Sequence, residues 1–216
     1  MIRTVLFDLD GTLFDTVEGI TKSVRYALRK RGMDAPLEEL RCFAGPPLIE
    51  KFMEVYGFSR AEAEQATRDF RERYVPVGLY ESRPFPQIRP FLEALTDAGA
   101  ILAVTTSKPR ALAEELLERE GLRQFFACVS GASDEGKDDA KWQVIRSAME
   151  TLGAREEETV LVGDTKYDVA GASRCSIGCI GVAYGYAAPG ELESAGASPI
   201  VQDLDELLEV LLEMSR

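Results

Sequence analysis

Six short runs of aliphatic and β-branched residues punctuate this chain: 4–7, 101–104, 127–129, 159–162, 177–182 and 199–201. They are continuous rather than alternating, as in strands covered on both faces. A half-exposed strand would show a polar residue at every second position. Between the later runs lie helical stretches at 87–98, 109–120, 139–152, 167–174 and 203–214. Pro109 suits a first helical position, and Gly99, Gly121 and Gly153 follow predicted helix ends, where a left-handed cap is wanted. Strand–helix alternation of this kind specifies an α/β fold, a three-layer sandwich around a parallel sheet.

One interval breaks the alternation. From Val17 to Tyr80 no strand is evident, only helical spacing. Val17, Ile20, Val24 and Leu28 repeat at that spacing, as do Leu48, Phe52 and Val55. Ser59-Arg60-Ala61-Glu62 is a capping box that opens a helix through Tyr74. The expected division is therefore a core of residues 1–15 and 82–216, with a helical insertion at 16–81 after the first strand.

Composition narrows the chemistry. The chain of 216 residues carries 25 Lys+Arg against 37 Asp+Glu, a formal net charge of −12. Such a field repels nucleic acid and anionic lipid, so neither is an expected partner. There is no histidine, and asparagine is absent too. Ser-His and Cys-His dyads, His-ligated zinc and N-glycosylation sequons are thereby excluded. Acid–base work falls to carboxylates, lysines, tyrosines or a metal-bound water. The four cysteines (Cys42, Cys128, Cys175 and Cys179) form no C-x-x-C pair and are expected as small buried hydrophobes. With no signal-peptide core and no apolar run near the ~18 residues of a span, a reduced cytoplasmic location is expected.

The segment Phe7-Asp8-Leu9-Asp10-Gly11-Thr12-Leu13 carries most of the information. Two carboxylates stand at the C-terminal end of a buried strand, where α/β folds bind ligands. Strand alternation sets i and i+2 on one face, roughly 6–7 Å apart. That gap can flank a tetrahedral centre, one oxygen attacking and the other handling the leaving group's proton. Gly11 lets the backbone turn and bring N–H groups to an anion. Other predicted strand ends carry matching groups. Thr105-Thr106-Ser107-Lys108-Pro109 offers a hydroxyl and amides before a helix. Gly163-Asp164-Thr165-Lys166-Tyr167-Asp168 places two acids across a helix start, and Asp164 near Asp8 would make a hard-oxygen Mg²⁺ site. Lys141, like Lys137 before it, could offset a phosphate dianion. The stretch from Gly131 to Asp138 matches G-x-x-x-x-G-K. It has Asp138 where a phosphate-binding P-loop needs Ser or Thr, and acids where phosphates would lie, so that reading is rejected.

In order, DLDGT, the hydroxyl, the lysine and GD-x-x-x-D resemble the haloacid dehalogenase-like hydrolases, aspartate-dependent phosphohydrolases with a Rossmann-like core. The resemblance spans essentially the whole chain, and the insertion is similar to that superfamily's C1-type cap. "EGITKSVRYAL", "FAGPPL", "TTSKP" and "VGDTKYD" are most similar to phosphoglycolate phosphatases and bacterial 5′-nucleotidase-like proteins. The resemblance implies Asp8 as nucleophile and Asp10 as general acid/base. It implies Mg²⁺ held by Asp8, Asp164 and the Asp10 carbonyl, with Asp168 supporting the metal shell. Gly11, Thr106, Ser107 and Lys141 would bind the phosphoryl group, Lys141 also neutralising the phosphoaspartate. Thr105-Thr106-Ser107 leaves a one-residue ambiguity over the phosphate hydroxyl, and Gln87 stands where relatives usually have Gly. Lys22, Gly45 and Arg71 of the insertion are candidates for contacting the rest of the substrate.

The expected activity is Mg²⁺-dependent hydrolysis of a small phosphomonoester, of 2-phosphoglycolate or nucleoside 5′-monophosphate type, by a monomer or homodimer. A sugar phosphomutase would keep the same core residues. A dehalogenase would have no use for Asp10, and a phosphonoacetaldehyde hydrolase would need a Schiff-base lysine, for which Lys22 is the candidate. A phosphoacceptor receiver domain shares the Asp, Thr, Lys and Mg²⁺ but not Asp10 or the insertion. A non-catalytic binding module would leave the catalytic positions without a purpose.

Overall fold

The structure is a computed structural model that describes residues 1–133 and 140–216. Lys137, the Asp139 helix start and most of the rejected P-loop segment lie outside the described residues. The chain divides into two compact units, residues 1–14 with 84–216 and residues 15–83.

In the larger unit, β1 (Thr4–Phe7), β4 (Ile101–Pro109), β5 (Cys128–Ala132), β6 (Thr159–Gly163), β7 (Gly178–Val182) and β8 (Ile200–Val201) form one parallel sheet. Its spatial order is β5-β4-β1-β6-β7-β8. Counting only these strands in chain order gives 3-2-1-4-5-6, the doubly wound Rossmann order. The connections run one way from β1 to β4 and β5, and the other way to β6 and beyond. The strand order therefore switches at β1, between β1 and β6, the position whose carboxyl ends bind ligands in doubly wound folds. Helices α4 (Ile88–Asp97), α5 (Arg110–Arg119), α6 (Lys141–Leu152), α7 (Lys166–Arg174), α8 (Glu191–Ala195) and α9 (Leu204–Met214) cover both faces.

Strand parity assigns the two cores. Leu6 packs with Ile145 and Ala148 of α6 and with Val169 and Ala172 of α7. Phe7 points the other way, edge-on to Phe91 of α4 and to Phe126, at 6.0 and 6.4 Å between ring centroids. Such ring pairs contribute about 0.5–1.5 kcal/mol beyond their buried area. Asp8 follows Leu6 in parity and so belongs to the α6/α7 side.

The strand expected to end at Val104 runs on to Pro109, with a register shift against β5 between Thr106 and Pro109. Pro109 accordingly precedes α5 rather than opening it. Gly99, Gly121 and Gly153 adopt the left-handed conformation. Gln87 does so as well, at φ 67° just before α4. A side chain there costs roughly 1–2 kcal/mol, partly offset by the ~0.4–1 kcal/mol of chain entropy a glycine forfeits on folding. Gln87→Gly should therefore stabilise by about 0.5–1 kcal/mol. Urea denaturation tests this, and an unchanged or lower midpoint would show that the backbone at Gln87 is unstrained.

The smaller unit comprises α1 (Val17–Arg29), α2 (Leu48–Tyr56) and α3 (Arg60–Tyr74), with 3₁₀ turns at Glu39–Phe43 and Gly78–Glu81. The predicted capping box is formed: the Glu62 carboxylate accepts the Ser59 N–H at 2.8 Å, and Ser59 Oγ accepts the Glu62 N–H at 3.4 Å. Ile20, Val24 and Leu28 of α1 are buried. On α2 the buried face is Ile49 and Phe52, and Val55 is exposed. The stripe keeps Phe52 but takes Ile49 in place of Leu48, because Phe52 lies tilted against Phe43 and stacked on Phe58, which fixes the helix's rotation. Two-residue strands β2 (Phe14–Asp15) and β3 (Arg83–Pro84) pair with each other where the chain passes between units. All four cysteines are free; Cys175 and Cys179 are buried as expected, but Cys128 is only half-buried and Cys42 is exposed. In its 3₁₀ turn the three-residue repeat turns Leu40 and Phe43 inward, so Cys42 faces out.

Candidate active site

Asp8 extends the β1 ladder by one residue, its N–H donating to the Val162 carbonyl at 2.9 Å. Its carboxylate lies on the side covered by α6, whose first residue is Lys141. The lysine stem rests on α7 at Gly171, where an added Cβ would lie 2.8 Å from Lys141 Cγ. The ammonium donates to Asp8 Oδ1 at 2.5 Å and to the Thr105 carbonyl at 2.8 Å. It pairs with Asp168 Oδ1 at 2.7 Å. Three donors meet three oxygens, so the head group has one fixed position.

Asp164 follows β6 directly and is fully buried. Its Oδ2 accepts the Tyr186 N–H at 2.8 Å. A loop from Tyr184 to Tyr186 closes over it: an added Cβ on Gly185 or on Gly11 would overlap the carboxylate. Gly11 also has φ 87°, which only glycine takes at little cost. The Tyr184 hydroxyl donates to the Thr12 carbonyl at 3.1 Å, tying that loop to the turn after β1. Asp168 caps α7, its Oδ2 accepting the Thr165 N–H at 3.0 Å and the Thr165 hydroxyl at 2.7 Å.

Asp8, Asp164 and Asp168 each offer an oxygen, and these oxygens lie within 4.8 Å of one another. Buried carboxylates so close repel one another, with Lys141 the cation in contact with two of them. Desolvation, reinforced by the charges of Asp168 and Asp10, pushes the Asp8 carboxyl up to about 7 despite Lys141. Burial raises Asp164 well above the carboxylate range, helped by Asp168 and Asp8 and opposed by the Tyr186 N–H. Burial alone would lower Lys141, but the charges of Asp168 and Asp8 outweigh it and hold the ammonium protonated. A surplus of buried hard-oxygen donors is what a small divalent cation requires, so the residues present fit Mg²⁺.

Asp10 lies in the tight turn after Asp8, closed by Gly11 N–H to the Phe14 carbonyl at 2.8 Å and Phe14 N–H to the Leu9 carbonyl at 2.9 Å. Its Oδ2 is 3.0 Å from the ammonium of Lys108. Thr106 is buried and its hydroxyl oxygen accepts the Lys108 N–H at 3.1 Å. Ser107, half-buried, stands in the irregular segment of β4. Thr105, which presents its carbonyl to Lys141, has a buried hydroxyl without a partner among the described residues.

The Haloacid dehalogenase-like hydrolase family model matches residues 5–182 of this chain. The chain belongs to that family. Among its relatives, a 5′-nucleotidase of Pseudomonas aeruginosa is 41% identical over 96% of this chain and 94% of its own length. Another, the tyrosine-protein kinase PtkA of Mycobacterium tuberculosis, is 35% identical over 97% of this chain and 72% of its own. The crystal structure of a predicted phosphatase from Clostridium acetobutylicum superposes with a TM-score of 0.96 at 41% identity, covering 99% of both chains. The family expected from the DLDGT and GD-x-x-x-D segments is thus the family found.

Within this hydrolase core, Asp8, Asp164, Asp168 and Lys141 come together, and Gly11 packs on Asp164. Asp10 presents its carboxylate to Lys108 instead of the acid cluster. In the smaller unit, Lys22 is held by Glu18 at 2.5 Å and Glu81 at 3.1 Å. Glu81 is also gripped by Arg73. Gly45 turns with φ 100° before Pro46, and Arg71 is half-buried on α3. The sequence reading passed over Lys108 and the Tyr184-Gly185-Tyr186 loop. The one available signal for the loop was a lone glycine between two tyrosines after a buried strand.

Proposed function

We propose that this hydrolase cleaves small phosphomonoesters, with Asp8 as nucleophile and Asp10 as general acid and base. The supporting observation is the meeting of Asp8, Asp164 and Asp168 at the sheet's switch point, with Lys141 paired to Asp8 and Asp168. An Asp8 carboxylate oxygen attacks phosphorus while Asp10 gives a proton to the departing oxygen. Asp10 then takes a proton from water as that water displaces phosphate from Asp8. Lys141 holds the attacking carboxylate in place and offsets phosphoryl charge, and Thr106 and Ser107 bind phosphoryl oxygens. Asp8, Asp164 and the Asp10 carbonyl would hold Mg²⁺, with Asp168 outside them. Bound there, the cation supplies positive charge that screens carboxylate and phosphoryl oxygens from each other.

Residues 15–83 act in this reading as a cap whose Lys22, Gly45 and Arg71 contact the leaving group. The substrate is of 2-phosphoglycolate or nucleoside 5′-monophosphate type, and the protein works in the cytoplasm as a monomer or homodimer. No helix among the described residues is long and apolar enough to cross a membrane. Transfer to an acceptor other than water, as by a mutase, is the competing reading. The kinase name of one relative keeps that reading in view. Phosphate release measured against label transferred to an added sugar phosphate or to protein separates the two.

Chelation should abolish phosphate release, Asp164→Asn should raise the Mg²⁺ concentration needed, and Ca²⁺ should inhibit through its looser coordination. The pH dependence has a defined sign. Asp8 is protonated below about 7 in the metal-free protein, so a cation must expel that proton. Mg²⁺ affinity should therefore tighten as pH rises from 5 to 7, by about tenfold per unit for each proton displaced. Calorimetry in buffers of different ionisation enthalpy counts those protons. Full activity in excess chelator, or pH-independent Mg²⁺ binding over this range, would refute the assignment.

A further inference from the structure

The two oxygens of Asp10 have different surroundings. Oδ2 lies 3.0 Å from the Lys108 ammonium, with both side chains largely withdrawn from solvent, at 12% and 5% exposure. Oδ1 is buried and has no partner among the described residues. An unsatisfied buried carboxylate oxygen is costly, and is retained where something is meant to meet it. The lysine reaches this place because β4 continues past its predicted end. In the irregular stretch after Thr106, the Thr106 hydroxyl accepts the Lys108 backbone N–H and fixes where the side chain starts.

We infer that Lys108 is a positioning residue for the phosphoryl transfer: it anchors Asp10 by Oδ2, so that Oδ1 is the atom exchanging the proton. In the first step Asp8 forms the bond to phosphorus, the ester P–O bond breaks, and the Oδ1 proton passes to the departing oxygen. In the second step a water oxygen bonds to phosphorus, its proton returns to Oδ1, and the P–O bond to Asp8 breaks. Lys108 gives up no proton in either step. This inference rests on the acid/base role proposed for Asp10 and adds the residue that aims it.

The test is single-turnover phosphoryl transfer in Mg²⁺ for a series of phosphomonoesters whose leaving groups run from nitrophenol to simple alcohols. Wild type, Lys108→Met, Lys108→Gln, Asp10→Asn and the Lys108→Met/Asp10→Asn double variant are compared. A misaimed acid is felt only where a proton is needed. Lys108→Met should thus lose about 10²-fold with alkyl esters, at the low end of what general-acid catalysis contributes, and change little with the nitrophenyl ester. The double variant should be no slower than Asp10→Asn alone, because both changes remove one function. Lys108→Gln keeps a polar head group and decides the matter if Lys108→Met fails to fold. Equal losses on alkyl and aryl esters, or multiplicative losses in the double variant, would overturn the assignment of Lys108. Should Asp10→Asn itself show no leaving-group dependence, the acid/base reading of Asp10 falls first and takes this inference with it.

Discussion

Asp8→Asn is expected to bring turnover of every phosphomonoester to background, a loss of at least ~10⁴-fold, because an amide cannot form the covalent intermediate. The fold should tolerate the change well. Burial already pushes Asp8 up to about 7, so a neutral side chain of the same shape sheds a charge the site accommodates poorly. Lys141 keeps two of its three acceptors, the Thr105 carbonyl and Asp168. A thermal midpoint within a few degrees of wild type, together with no phosphate release from 2-phosphoglycolate, a nucleoside monophosphate or p-nitrophenyl phosphate, is the expected pair of results. Activity within tenfold of wild type on any of the three would place the nucleophile elsewhere.

The effect of Asp10→Asn should depend on the leaving group. An alkoxide departing from phosphoglycolate or a ribose is strongly basic and needs a proton as the bond breaks. A nitrophenolate is stable without one. General-acid help is typically worth ~10²–10⁴-fold, and the transfer step should lose that factor with alkyl esters only. With the aryl ester, transfer proceeds but the water that must attack phosphorus has lost its base. A burst of nitrophenolate followed by slow turnover should result, and quench-flow on both substrates resolves it. Equal losses in the transfer step, without a burst, would assign the acid/base role to another group.

The parts of this site that were legible in the sequence are those fixed by local chain geometry. A buried run ending in Asp-x-Asp-Gly fixes β1, its polarity and the side on which Asp8 emerges. Gly163-Asp164 with Asp168 four residues on fixes the second carboxylate and the start of α7. Lys141 was readable only by family resemblance, because a lysine at a helix start is ordinarily a solvated one. Lys108 was missed for a related reason. Its partner Asp10 lies 98 positions away, and only the continuation of β4 past Val104, against the local pattern of hydroxyls, brings the two together. Cys42 and Val55 were misplaced because short segments bury whichever face their neighbours require, and periodicity in two or three residues does not select it. Lys22, a candidate for contacting the substrate, is matched by Glu18 and Glu81; Glu81 is drawn in by a turn that spacing along α1 could not reveal.

The pairing of β2 with β3 bears on how such a protein can be re-engineered. These two strands bring residues 14–15 and 83–84 side by side, so the chain leaves the sheet-bearing unit and returns to it at neighbouring points. All the side chains assigned to phosphoryl chemistry lie outside the intervening stretch. A segment of different length and sequence can therefore be grafted between these two points without altering the spacing of Asp8, Lys141 and Asp164. On the reading proposed for residues 15–83, substrate range and reaction chemistry are written in separable parts of one gene.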